Sequence, residues 1–137
     1  MGCASLAGRS ILVIEDEPLI ALSIKQELDS AGATVITAPS LAVATPLVNH
    51  DNLSAAIVDF GLTDGDASPL CATFRARGIP FIVHSGYECE EYAPTVVIPK
   101  PALPGALVDA LAAVFDPTQR IGNVRRAGGR QVDRRGR

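Results

Sequence analysis

The side chains able to do chemistry sit at the ends of short apolar runs. "ILVI" (Ile11–Ile14) stops abruptly in Glu15, Asp16 and Glu17, "AAIV" ends in Asp59, "FIVH" in Ser85 and "VVIP" in Lys100. Like charges about 4 Å apart repel by roughly 4 kcal/mol at an effective dielectric near 20, so carboxylates stacked at the mouth of a buried run call for a positive partner. Clustered carboxylates can hold a hard divalent cation. Mg²⁺ takes oxygen ligands at ~2.0–2.1 Å and keeps several waters, which leaves room for a phosphoryl oxygen. Asp59 is the natural nucleophile of the set, because a carboxylate can accept a phosphoryl group as an acyl phosphate. Lys100 can neutralise a second anionic oxygen and the Ser85 hydroxyl can donate to a third. Phosphoryl transfer needs chiefly such alignment and charge stabilisation.

These residues need a scaffold, and the chain is long enough to supply one. At 137 residues, 47% apolar and 20% charged, it reads as one globular domain. No apolar stretch approaches the ~20 residues of a membrane span, and no secretory signal opens the chain. "MGCASL" departs from a myristoylation pattern at Leu6. A cytoplasmic protein is expected. Cys3, Cys71 and Cys89 have no metal spacing and read as reduced small hydrophobes. His50 and His84 are too far apart to suggest zinc, and His84 reads as a packed or hydrogen-bond-satisfied strand histidine rather than a catalyst.

Short apolar runs alternate with helical patterns. Strands are expected at "SILVIED", at Thr34 to Ala38, and at "SAAIVDF", "GIPFIVHS" and "TVVIPK". Between them, Ile20, Ile24, Leu28 and Ala31 recur at helical spacing after Pro18, with Gly32 where the residue past a helix C-cap belongs. Ser40 is the expected N-cap of a second helix, which Pro46 should kink or delay. A third helix is expected over Ala67 to Arg77 and a last one over Leu103 to Phe115. Strands alternating with helices predict an α/β fold: a flavodoxin-like, doubly wound, five-stranded parallel sheet in the order 2-1-3-4-5. The expected domain spans residues 10–115, between an N-terminal tail (1–9) and an Arg-rich tail (116–137). That last segment carries seven Arg and two Asp, against five basic and thirteen acidic residues elsewhere, and reads as disordered.

In that strand order the first and third strands are central neighbours, and open α/β sheets bind ligands beyond the carboxyl ends of their strands. Glu15, Asp16 and Asp59 would therefore meet, with Ser85 and Lys100 approaching from one side. In this order and spacing, "VIEDEP", "IVDFGLTDGD", "VHSGY" and "PKP" resemble the receiver domain of bacterial response regulators, over roughly residues 10 to 115. The resemblance implies Asp59 as phosphoacceptor and Asp16 as direct Mg²⁺ ligand, with Glu15 acting mostly through water and the Gly61 carbonyl completing the protein's ligands. Ser85 would be the switch hydroxyl and Lys100 the phosphate-binding lysine. It also implies a sensor histidine kinase or histidine phosphotransfer protein as phosphoryl donor, a downstream protein partner, and no enzymatic activity beyond the domain's own phosphorylation and dephosphorylation. The short tail leaves no room for a folded DNA reader, so a single-domain regulator without specific nucleic-acid or membrane binding is expected; a dimer is compatible with the chain.

The sequence departs from the receiver pattern in three places. Glu15 stands where the family usually has Asp, and Val97 stands where many members carry an aromatic, a part Tyr87 could take. Fourteen residues separate Ser85 from Lys100, so the helix between the last two strands should be short or missing. These departures define a rival reading, a pseudo-receiver acting as a phosphorylation-independent interaction module. A hydrolase of the haloacid-dehalogenase kind would need a second aspartate where Gly61 stands.

Overall fold

The computed structural model describes residues 5–49, 52–59, 65–85, 96–100 and 102–115, with Ser85 described by its backbone alone. Five strands form where apolar, largely β-branched runs occur: β1 (Ser10–Ile14), β2 (Thr34–Ala38), β3 (Ala55–Val58), β4 (Phe81–Ser85) and β5 (Val96–Pro99). They make one parallel sheet in the order β2-β1-β3-β4-β5, which is the expected flavodoxin-like topology. Helices α1 (Pro18–Ser30), α2 (Leu41–Leu47) and α3 (Ser68–Ala76) supply the first three crossovers, and α4 (Ala106–Phe115) follows the last strand. Gly61, Tyr87, the segment 86–95 where a short helix was expected, and the tail 116–137 lie outside the described residues.

The central strands β1 and β3 are buried on both faces, so their apolar runs are continuous rather than alternating with polar residues. The two-residue period of a strand still divides them between two cores. Leu12, Ile14, Ala56 and Val58 pack with Ala44 and Val48 at α2 and with Leu70, Cys71 and Phe74 of α3. Ile11, Val13, Ala55 and Ile57 pack with Ile24 and Leu28 of α1 and with Leu107, Val108 and Leu111 of α4. The alanines of β3 add little bulk between these layers.

Local chemistry sets the helix ends. Pro18 occupies the first turn of α1, where its missing N–H removes no intrahelical bond. The helix closes in a Schellman turn: Gly32, at φ +100°, donates to the Asp29 carbonyl at 2.9 Å, and Ala33 donates to that of Leu28 at 3.1 Å. Any Cβ at Gly32 would also lie 3.1 Å from the Ala7 Cα. That close approach belongs to the segment before β1, where the Leu6 N–H donates to the Ala31 carbonyl at 2.8 Å and the Leu6 side chain is fully buried in the α1/α4 core. The reading of residues 1–9 as a tail did not anticipate this contact.

Helix α2 begins directly after Ser40, whose Oγ accepts the Val43 N–H at 3.1 Å, and carries Pro46 in its last turn. The delayed start inferred from Pro46 does not occur, because the cap fixes the beginning and the proline falls near the end. The last helix starts at Ala106, three residues later than its apolar pattern suggested. Leu103 stands exposed before it, and Gly105, at φ +82°, donates its N–H to Glu27 Oε2 at 2.8 Å.

Candidate functional site

Strand register builds the site. Ile14 pairs with Val58, so the next residues, Glu15 and Asp59, leave the sheet side by side at its carboxyl edge. The Asp59 N–H donates to the Ile14 carbonyl and that of Glu15 to the Ala38 carbonyl, each at 3.0 Å, which carries sheet-like order one residue past the strands. Ser85 pairs with Pro99, so Lys100 emerges one step beyond β5. Ligand atoms of Glu15, Asp16 and Asp59 all come within 4.8 Å of one another. Glu15 and Asp59 are only 2% and 3% exposed, while Asp16 is half-buried.

The Lys100 ammonium supplies the positive charge that these carboxylates need. Its Nζ lies 3.0 Å from Asp59 Oδ2 and 3.1 Å from Glu15 Oε1, and donates a hydrogen bond to Glu15 Oε2 at 3.2 Å. The approach to Glu15 Oε1 lacks hydrogen-bond geometry, so that buried oxygen is held by charge alone among the described residues. The Glu17 N–H, at the N-cap of α1, donates to Glu15 Oε2 at 3.2 Å.

Burial pushes the Glu15 carboxyl above its ordinary range, and the Asp59 charge adds to this; Lys100 and the Glu17 amide pull the other way without overcoming it. For Lys100 burial acts to lower the value, but the hydrogen bonds to Asp59 and Glu15 outweigh it and the ammonium is held above its usual range. The site is thus a buried acidic pair closed by one lysine, with a third carboxylate at the rim.

The donor set suits a hard cation. Its ligands are carboxylate oxygens, one of them buried without a hydrogen bond among the described residues, and Asp16 keeps access to solvent. The structure therefore brings together Glu15, Asp16, Asp59 and Lys100. Ser85 ends β4 beside them by its backbone, and Gly61 lies outside the described residues. Val97 sits half-buried in the middle of β5, paired with Val83.

Two features escaped the sequence. The Glu27–Gly105 hydrogen bond joins residues 78 apart and has no local signal. His84, 3% exposed, has no hydrogen-bond partner on either ring nitrogen among the described residues, although its strand position marked it as inward-facing. Burial and then the Lys100 charge lower its affinity for a proton, against a smaller pull from Asp59.

No family model and no curated protein matches the chain. Solved structures do. A CheY-like response regulator receiver domain protein from Methanospirillum hungatei superposes with a TM-score of 0.72 at 24% identity, over 83% of this chain and 98% of that one. A sensor protein from Polaromonas gives 0.68 at 25% identity, over 85% and 98%. SdrG from Sphingomonas melonis gives 0.67 at 29% identity, over 78% and 96%. The chain has the fold of a response regulator receiver domain. Among the described residues, no helix is long and apolar enough to cross a membrane.

Proposed function

We propose that this protein is a response regulator receiver that accepts a phosphoryl group on Asp59 from a histidine kinase or a histidine phosphotransfer protein and passes the signal to a protein partner. The observation that carries this reading is the Lys100 ammonium seated between the buried carboxylates of Glu15 and Asp59 at the carboxyl edge of a receiver-type sheet.

In the transfer, an Asp59 carboxylate oxygen attacks the phosphorus of the donor phosphohistidine. A P–O bond forms, the P–N bond breaks, and the imidazole nitrogen keeps the electron pair. Buried on the strand edge, Asp59 is held in place for in-line approach. Lys100 already contacts Asp59 and can follow the charge onto a phosphoryl oxygen while Glu15 keeps its stem oriented. Glu15, Asp16 and Asp59, with the Gly61 carbonyl, are the residues that would hold Mg²⁺, which supplies positive charge for the carboxylates and the incoming phosphoryl oxygens. The Ser85 hydroxyl is the proposed partner of a further phosphoryl oxygen. Attack of water on the acyl phosphate breaks the new P–O bond and returns the carboxylate and inorganic phosphate. The added charge of about −1.5 to −2 beside Lys100 is the local event that a binding surface would read.

The test is intact mass after incubation with acetyl phosphate and Mg²⁺. Wild type should gain one phosphoryl group, and neither Asp59→Asn nor metal-free protein should gain it. The rival reading, a pseudo-receiver that binds partners without phosphorylation, draws on the direct engagement of Glu15 by Lys100, which ties up the charge a phosphoryl group would use. Absence of both an acetyl phosphate adduct and a Mg²⁺-dependent response to beryllofluoride would establish the rival.

A further inference from the structure

Charge is divided unevenly along this chain. The segment 116–137 carries seven Arg and two Asp, while the rest carries five basic and thirteen acidic residues. The fold offers the basic segment a receiving surface. Between α1 and the start of α4 lies a cleft of about 430 Å³, with apolar walls of Ile20, Ile24 and Leu107 and an exposed Leu19 at its rim. A water molecule takes ~30 Å³, so these walls have room for aliphatic side chains. The charge around the cleft is negative. Lys100, the cation on its lining, is already engaged by Glu15 and Asp59. Glu27 gives one oxygen to the Gly105 amide and has no ion pair among the described residues. Asp16 and the exposed Glu17 stand at the head of α1.

Distances along the chain match this surface. The chain leaves α4 after Phe115, at the amino edge of the sheet, about 15 Å from the start of that helix at ~1.5 Å per residue. Pro117 disfavours further helix. The extended stretch Asp116–Arg120 would cover a similar distance back, at ~3.3 Å per residue. Arg120 then arrives level with Glu27, which is held against Gly105 just before α4. From Glu27 to Glu17, α1 rises about 15 Å toward the carboxyl edge. From Arg120 to Arg125 an extended chain rises ~16 Å. Between these arginines lie Ile121 and Val124, and between the two glutamates lie Ile24 and Ile20. We propose that the segment Arg120–Arg126 of this same chain docks in the α1/α4 cleft, with Ile121 and Val124 on the apolar walls, Arg120 on Glu27 and Arg125 on Glu17. A segment too polar to fold alone can order on such a surface. Seated there, it covers the α1 face beside Asp59, and a partner approaching along that helix has to displace it.

The test is limited trypsin digestion of the full chain, metal-free and unphosphorylated, so its outcome is independent of the role of Asp59. Rates at each arginine are read by mass and divided by those of a 116–137 peptide, which has no domain to dock on. Where a segment opens and recloses quickly, cleavage tracks its open population. Bonds after Arg120, Arg125 and Arg126 should be cut roughly tenfold more slowly than in the peptide, and those after Arg134 and Arg135 at the peptide's rate. Ile121→Ser/Val124→Ser, which changes no residue of the domain, should abolish the protection. Glu17→Gln removes no side-chain cap and should weaken it about twofold at Arg125. Differences in ¹H–¹⁵N spectra between wild type and the double variant should map to α1 and the start of α4. Equal rates in chain and peptide overturn the proposal, as do spectral differences centred on another face. Protection that fades on dilution would put the tail of a second copy in the cleft, which also overturns it.

Discussion

Replacing Lys100 by Met removes the ammonium while keeping a long apolar stem, and its effect can be worked from the geometry. The Nζ is 3.0 Å from Asp59 Oδ2 and 3.1 Å from Glu15 Oε1. At an effective dielectric near 20, each attraction is about 5 kcal/mol, before the desolvation of the ammonium is set against it. Carboxylate oxygens within 4.8 Å of one another repel by at least roughly 3 kcal/mol on the same scale. Removing one partner of a buried pair typically costs ~3–5 kcal/mol. Because Lys100 keeps 20% exposure, water reaches the gap, and the expected loss at pH 8 without divalent metal is near the lower end, about 3 kcal/mol.

Urea unfolding followed by circular dichroism reads this directly. With an m-value of roughly 1–3 kcal/mol/M, the midpoint should fall by about 1 M or more. Adding Glu15→Gln to the Lys100→Met protein should recover part of the loss, since it removes one of the opposed charges. The alkaline limb supplies a second check. The folded Lys100 titrates above its ordinary value of 10.5, so its contribution is fully present below that pH and is lost as pH rises through the folded value. Wild type should lose stability there more steeply than Lys100→Met. A variant as stable as wild type at pH 8 would show that Lys100 does not offset the carboxylates.

Three further outcomes follow from residues already placed. Leu6→Ala should destabilise the domain by about 2–4 kcal/mol, as a buried leucine truncated in a packed core does, measured by thermal or urea unfolding. The Cys71 thiol, pushed up to about 12 chiefly by burial, should resist alkylation at pH 8 in the native state and react at once in urea, as followed by mass. Glu15 titrates above its ordinary 4.5, so the folded protein holds that proton more readily than the unfolded chain and stability declines as pH rises from 4.5 through the folded value. Mg²⁺ at a hundredfold excess over its Kd should add about 2.7 kcal/mol at high pH and less at pH 5, where it must displace protons; calorimetry with and without the metal measures the difference.

The sheet was legible because its strands are short, apolar and rich in Val and Ile, and because all but the second end in an ionisable or hydroxyl side chain. Topology then brought Glu15, Asp16, Asp59 and Lys100 together from positions up to 85 residues apart. What stayed hidden depends on contacts that leave no local pattern. Leu103 continued the apolar spacing of α4, yet the helix starts at Ala106, after a turn at Gly105 whose amide is claimed by Glu27. Leu6 looked like one apolar residue in a tail, and only the closeness of Ala7 to Gly32 shows why it is buried. The mutual pairing of Lys100 with Glu15 was equally unreadable, since the spacing placed the lysine near the acids without saying which one it would grip.

The Arg9 guanidinium lies 4.1 Å over the Phe115 ring, which puts the segment entering the first strand against the last turn of α4. Both points sit at the amino edge of the sheet, opposite the carboxylates. For protein engineering, a short peptide bridge between these neighbours would close the domain into a ring without passing over the acidic edge. New ends could then be opened in a surface turn such as Arg77–Gly78, giving a permuted chain that carries the same pocket on a rewired backbone.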